Sequence, residues 1–119
     1  MMRYIVSGGR DYSDWDHVRR VLDEERPLIG CIIQGECPVG DQGADGLAKR
    51  WAAENGIPLI GVYAHFKVFG PRAGPMRDQW MFDLLSPIYK LVAFPGGNGT
   101  RNAVRAAEER EICVRDERA

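Results

Sequence analysis

Hydrophobic residues along the chain fall into five short runs, and segments with helical periodicity separate them. The runs are YIVS at 4–7, LIGCII at 28–33, IPLIGVY at 57–63, KLVAF at 90–94 and EICV at 111–114. Near-continuous apolarity over such short lengths is typical of parallel strands that helices cover on both faces. The pattern therefore predicts one α/β domain over residues 1–119, built on a mainly parallel five-stranded sheet with helices on both faces.

Four helices are predicted between these strands. A capping box at Ser13 opens the first helix, and the second ends before Gly56, a residue suited to a left-handed C-cap. The third starts at Gly74, and the fourth follows Thr100, which we expect to be its N-cap. Loops that lead from strand to helix are long or rich in glycine, and in a parallel sheet they gather at the carboxyl edge, where ligands bind.

The segment PGGNGT, which begins at Pro95, carries the sharpest local signal. It follows a buried strand and opens a helix, whose first N–H groups lack partners and attract anions. Gly96, Gly97 and Gly99 let the backbone approach a phosphate closely, and Thr100 adds a hydroxyl. The alternative is a tight strand-to-helix turn without a ligand.

SGGR follows the first strand in the same way, with Ser7, Gly8, Gly9 and Arg10. The guanidinium of Arg10 is suited to bidentate pairing with a phosphate. The segment matches neither GxGxxG nor the GK[ST] of a P-loop, so neither standard nucleotide fingerprint applies. A turn with a surface arginine is the alternative, but two such loops at one sheet edge favour a site.

Two further loops add candidates. The third loop contains Gly35 and Gly43 and leads to Asp45, which either complements the helix dipole or bonds a ribose hydroxyl. The connection after the third strand is long enough to be a binding loop, and it supplies Arg72, with Arg77 just inside the next helix. Each cation has a solvated surface charge as its alternative, and Arg77 is favoured because a first helical turn should face the cleft.

Sixteen Lys and Arg against seventeen Asp and Glu give a formal net charge of -1. Bulk attraction to nucleic acid or to an anionic membrane is therefore not expected. The sequence shows no apolar stretch long enough for a signal peptide or a spanning helix, so we expect a soluble cytoplasmic protein. Trp80 lies beside Met81 and Phe82, and this leaves a homo-oligomer open.

Metal, cofactor and nucleophile chemistry finds little support. His17 and His65 are the only histidines, too separated for a zinc site, and no Ser/His/Asp or Cys/His arrangement is present. We therefore expect no metal and no cofactor. Cys31 and Cys113 lie in apolar runs and are expected to be buried free thiols, whereas Cys37 lies in a polar loop.

Four motifs in order, SGGRDY, GADGLAKRWA, AGPMRDQWM and AFPGGNGT, resemble the YspA, cpYpsA-related branch of the SLOG superfamily, which is related to the lysine-decarboxylase-like LOG proteins. The resemblance covers nearly the whole chain. It implies a Rossmann-like fold whose glycine-rich loops bind nucleotides or nucleotide-derived signals. It places in the binding loops Ser7, Gly8, Gly9, Arg10, Gly43, Asp45, Gly96, Gly97, Gly99 and Thr100, with Arg77 near the phosphate.

LOG-type phosphoribohydrolases extend their last motif to PGGxGTxxE, and the glutamate position is Ala103 here. The first hypothesis is therefore a binder that senses or sequesters an ADP-ribose-like compound or a cyclic nucleotide. The second is an enzyme that cleaves an N-glycosidic bond or a phosphodiester, with Asp45 or Glu36 in place of the missing carboxylate. A third possibility is a vestigial pocket, with function carried by an oligomeric surface.

Overall fold

A computed structural model describes residues 2–35 and 42–119 of the chain. The strands are β1 (Met2–Ser7), β2 (Ile29–Gln34), β3 (Leu59–Gly61), β4 (Lys90–Ala93) and β5 (Cys113–Asp116). The α-helices are α1 (Trp15–Glu25), α2 (Gly43–Asn55), α3 (Phe66–Phe69), α4 (Ala73–Asp83) and α5 (Asn98–Glu109). The strands form one five-stranded sheet in the order β3-β2-β1-β4-β5, and every pairing is parallel. The predicted α/β fold of Rossmann type is confirmed.

The strand order makes β1 and β4 neighbours in the middle of the sheet. Their register pairs Ser7 with Ala93 at the carboxyl ends of the two strands. The chain leaves β1 towards α1 on one face and leaves β4 towards α5 on the other. This divergence is the switch point at which open parallel sheets bind ligands.

Helices cover the sheet on both faces, as the apolar runs predicted. On one face α1 and α2 contribute Val18, Leu22, Ala48 and Trp51 to a buried cluster with strand residues such as Ile32. On the other face α4 and α5 contribute a second cluster with strand residues; its helix members are Met81, Phe82, Ala103, Val104 and Ala107. None of the helices in the described part of the chain is long and apolar enough to cross a membrane.

Two predicted helix caps are wrong by one to three residues. Helix α1 is capped by Asp14, whose carboxylate accepts the backbone N–H of His17 at 3.1 Å, and not by Ser13. Helix α5 has Gly97 at its N-cap, so Thr100 lies inside the first turn. Several residues of a glycine-rich loop can serve as the N-cap, so the sequence alone does not show that α5 begins before Thr100. The end of α2 at Gly56, with φ +63°, agrees with its prediction.

Two other expectations differ from the structure. The connection between β3 and α4 is not one irregular loop, because α3 and a short 3₁₀ turn over Gly70–Arg72 lie within it. Cys113 is exposed, since β5 is an edge strand with no neighbour on its outer side. Cys31 is half-buried, and Cys37 lies outside the described residues.

Candidate functional site

Three glycine-containing loops meet at the carboxyl ends of β1, β2 and β4. The backbone N–H of Gly9 donates to the carbonyl of Pro95 at 2.8 Å, which joins the β1 loop to the β4 loop. The N–H of Ala44 at the start of α2 donates to the carbonyl of Gly9 at 3.1 Å. Gly9 therefore connects the loops that the sequence could place only at the same edge.

Several of these glycines are required because the loops approach too closely for a side chain. A Cβ at Gly8 would lie 2.4 Å from Cβ of Ala44, and one at Gly96 would lie 2.6 Å from the nitrogen of Gly9. Gly43 has φ +71°, and a Cβ there would lie 2.6 Å from the carbonyl oxygen of Arg10. A side chain at any of these positions would clash with neighbouring atoms. At Gly43 it would also have to adopt an unfavourable left-handed backbone conformation.

A cavity of about 210 Å³ opens between these loops. It is lined by Gly8, Gly9, Arg10, Gln42, Gly43, Ala44, Asp45, Ala64, Phe66, Arg77, Gly97, Gly99 and Thr100. A smaller cavity of about 60 Å³ lies beside it and shares Gly8, Asp45, Arg77, Gly99 and Thr100. The two cavities together form the cleft, a name kept below for this space.

The first turn of α5 borders the cleft through Gly99 and Thr100, and its first amides have no intrahelical acceptor. The first hydrogen bond of this helix runs from the N–H of Arg101 to the carbonyl of Gly97 at 3.1 Å. The amides of Asn98, Gly99 and Thr100 precede it, and helix geometry leaves them without an intrahelical acceptor. Their partial positive charge adds to that of the helix dipole.

Thr100 contributes a second unpaired group at the same point. The residue is 2% exposed, and its hydroxyl has no hydrogen-bond partner among the residues that the structure describes. It lines both cavities of the cleft. A buried polar group without a partner is rare in folded proteins, and each case calls for an explanation such as a ligand or an ordered water.

Arg77 reaches the cleft from the first half of α4 while its own position is fixed. Its Nη1 donates to the carbonyl of Gly35 at 2.8 Å, and its Nε donates to Oδ1 of Asp78 at 2.8 Å. Burial raises the pKa of Asp78 above its usual range, and the charge and hydrogen bond of Arg77 oppose that rise. Among the described residues Nη2 has no acceptor, and Arg77 lines both cavities of the cleft.

The structure brings most of the predicted site residues together. Ser7 and Gly35 line the smaller cavity rather than the larger one. Pro95 and Gly96 lie behind the cleft, where they contact the β1 loop. Arg72 is exposed and lines neither cavity, so the structure does not place it with the others.

Sequence reasoning missed Phe66, which lines the larger cavity from α3. The signal was present in the segment FKVF, which holds the three large apolar residues of the connection over 64–75. No group of His, Cys, Asp or Glu is arranged to hold a metal ion within residues 2–35 and 42–119.

Residues 2–69 match the YspA, cpYpsA-related SLOG family, which is more than half of the 119-residue chain. The chain belongs to this family. Comparison with the curated proteins and with the solved structures gave no significant match.

Membership of this SLOG family indicates nucleotide-related binding or processing. The match spans β1 to α3 and therefore includes the first two glycine loops. It ends at Phe69, before the β4 loop. The connection of that last loop to the others comes from the hydrogen bond between Gly9 and Pro95.

Proposed function

We propose that the chain binds a nucleotide or a nucleotide-derived signal, such as an ADP-ribose-like compound or a cyclic nucleotide, and acts as a sensor or sequestering protein. The phosphate lies at the N-terminus of α5. The observation that carries this proposal is the buried Thr100 hydroxyl without a partner, next to the unpaired amides of Asn98 and Gly99.

The chemistry of this end of the cleft selects an anionic acceptor. Helix amides, a hydroxyl and the free Nη2 of Arg77 are all donors, and a phosphate oxygen accepts from each of them. Leaving a buried hydroxyl unpaired costs about 1–3 kcal/mol, so a ligand that pairs it recovers that free energy. Asp45, in the first turn of α2, lines the same cleft and offers an acceptor for ribose hydroxyls.

Binding without cleavage is supported by the carboxylates. Ala103, at the glutamate position of the LOG motif, is fully buried in the cluster between α5 and the sheet. Two described acids line the cleft, Asp45 in both cavities and Asp78 in the smaller one, and the Asp78 carboxylate is already ion-paired with Arg77. Glycosidases generally use two carboxylates that both act at the scissile bond. Glu36, the other candidate, lies outside the described residues.

Calorimetry with AMP, ADP-ribose, NAD and cyclic AMP tests the proposal, followed by chromatography of the recovered ligand. We expect at least one of these compounds to bind and to be recovered unchanged. Recovery of free base instead would establish the alternative N-glycosidic hydrolase. Absence of binding by all four compounds would contradict the proposal.

Gly97→Asp is the variant that tests the position of the phosphate. A Cβ at Gly97 meets no atom within 4 Å, so the side chain fits. The new carboxylate would accept the amides of the first turn of α5 as an N-cap and would repel a phosphate. We expect the affinity for the bound nucleotide to fall at least about 100-fold, with the free energy of unfolding maintained.

Leu84→Asp is the matched control, since it adds the same charge at a residue that is 74% exposed and follows the last turn of α4. It should leave the affinity unchanged. Equal losses in the two variants would mean that net charge, rather than the α5 amides, governs binding.

A further inference from the structure

Phe66 is an exposed aromatic side chain on the wall of the cleft. It is the first residue of α3, it is 44% exposed, and it lines the larger cavity together with Ala64 and Arg77. No other aromatic ring in the described part of the chain stacks on it. Its ring lies beside Gly74, where an added Cβ would be 3.7 Å from Cζ of Phe66.

The larger cavity of the cleft is too small to enclose a whole nucleotide. The larger cavity holds about 210 Å³, whereas sites that enclose a drug-sized ligand typically hold about 300–1,000 Å³. A phosphate at α5 and a ribose beside Asp45 occupy most of that space. The remainder of a nucleotide must then extend beyond this space, and Phe66 is the only described lining residue with a large, exposed apolar side chain.

We infer that Phe66 is a stacking platform for a planar aromatic base, so that the ligand is a nucleotide rather than a sugar phosphate. This inference rests on the proposed function of the cleft. Stacking on a phenyl ring is favourable for every base because each base has a π face, and the ring loses little conformational entropy. Phe66 therefore supplies affinity for a base without selecting which base.

The competing explanation for an exposed phenylalanine is a surface that contacts another protein. Val68, on the same helix, is 72% exposed and does not line either cavity of the cleft. A partner that covers α3 would contact both side chains. A base in the cleft would contact Phe66 alone, so Val68 is the matched control.

The test compares AMP with ribose 5-phosphate, which lacks the base, in calorimetric titrations of four forms of the chain. These forms are the wild type, Phe66→Ala, Phe66→Tyr and Val68→Ala. We expect Phe66→Ala to weaken the affinity for AMP about 5- to 150-fold and to leave the affinity for ribose 5-phosphate unchanged. Phe66→Tyr should retain the affinity for AMP, and Val68→Ala should change the affinity for neither ligand.

Four results would overturn the inference. Equal losses for AMP and ribose 5-phosphate in Phe66→Ala would show that the side chain shapes the cleft and does not stack on a base. A shift of Phe66→Ala and Val68→Ala to a smaller species in size-exclusion chromatography, with AMP affinity unchanged, would identify a protein interface. If the wild type binds ribose 5-phosphate as tightly as AMP, the inferred stacking is wrong but the proposed function stands. A wild type that binds neither would overturn the proposed function as well.

Discussion

The β1 loop and the β4 loop both carry glycine pairs after a central strand, yet their glycines serve different purposes. In the β1 loop, Gly8 packs its Cα against Ala44, and Gly9 gives its amide to the carbonyl of Pro95. In the β4 loop, Gly96 is crowded in the same way, with an added Cβ 2.6 Å from the nitrogen of Gly9, whereas Gly97 and Gly99 have no atom within 4 Å of an added Cβ. The amide of Gly99 has no intrahelical acceptor.

Both loops line the cleft, but Gly8 and Gly96 let backbones approach each other, whereas Gly97 and Gly99 border open space. A glycine whose missing Cβ is crowded lets two backbones meet, and its replacement costs stability. A glycine in open space next to free amides leaves room for a ligand, and its replacement affects binding. The distinction replaces the simpler expectation that amides from every glycine turn surround one anion.

The strongest test exchanges one glycine from each loop for alanine. In Gly8→Ala the new methyl would lie 2.4 Å from Cβ of Ala44, and we expect the free energy of unfolding to fall by about 1–3 kcal/mol. In Gly99→Ala the methyl enters open space within α5, and we expect a gain of about 0.5 kcal/mol from the lower entropy of the unfolded chain. Urea denaturation measures both, and two changes of the same sign would contradict the comparison.

Thr100→Val sharpens the comparison within the β4 loop, because it should move stability and affinity in opposite directions. Removing an unpaired buried hydroxyl should raise the free energy of unfolding by about 1–3 kcal/mol, the cost of leaving it unpaired. Loss of a hydrogen bond to a charged phosphate should weaken the affinity for AMP about 10-fold. Thermal denaturation and calorimetry on the same sample measure the two effects.

Thr100→Ser is the control, since it keeps the hydroxyl and should keep the affinity. If Thr100→Val leaves AMP binding unchanged, the hydroxyl is satisfied by water and does not contact the phosphate.

Much of the fold follows from the sequence because it depends on burial, which periodicity reports directly. The apolar runs locate all five strands, and Gly56 marks the end of α2 with its left-handed conformation. The exposure of Cys113 could not be predicted in this way, since an apolar run does not tell a central strand from an edge strand. Strand order, which settles that question, depends on contacts between distant segments.

The candidate site was less predictable for the same reason. Composition identified the glycine loops, but the separate roles of Gly8 and Gly99 depend on whether another backbone lies alongside. The sequence favours Arg77 over Arg72 because of its place in the first helical turn, and the structure brings Arg77 but not Arg72 to the cleft. Phe66 was missed because a cluster of apolar residues in a long connection does not show whether it faces a cleft, the core or solvent.

The smallest expected effect concerns the two exposed arginines, Arg10 and Arg72. Arg10 belongs to the β1 loop and lines the larger cavity, whereas Arg72 lines neither cavity. Because an exposed ion pair contributes about 0.2–1 kcal/mol, we expect Arg10→Ala to weaken AMP binding about 1.4- to 5-fold and Arg72→Ala to leave it unchanged. Salt screens exposed charges, with a Debye length of about 10 Å at 0.1 M, so the loss in Arg10→Ala should shrink as salt is added. Calorimetry at two salt concentrations measures this salt dependence.

A loss of about 100-fold that persists in high salt would instead mean that Arg10 is buried against the phosphate in the complex. The β1 loop would then bind the ligand as directly as the β4 loop.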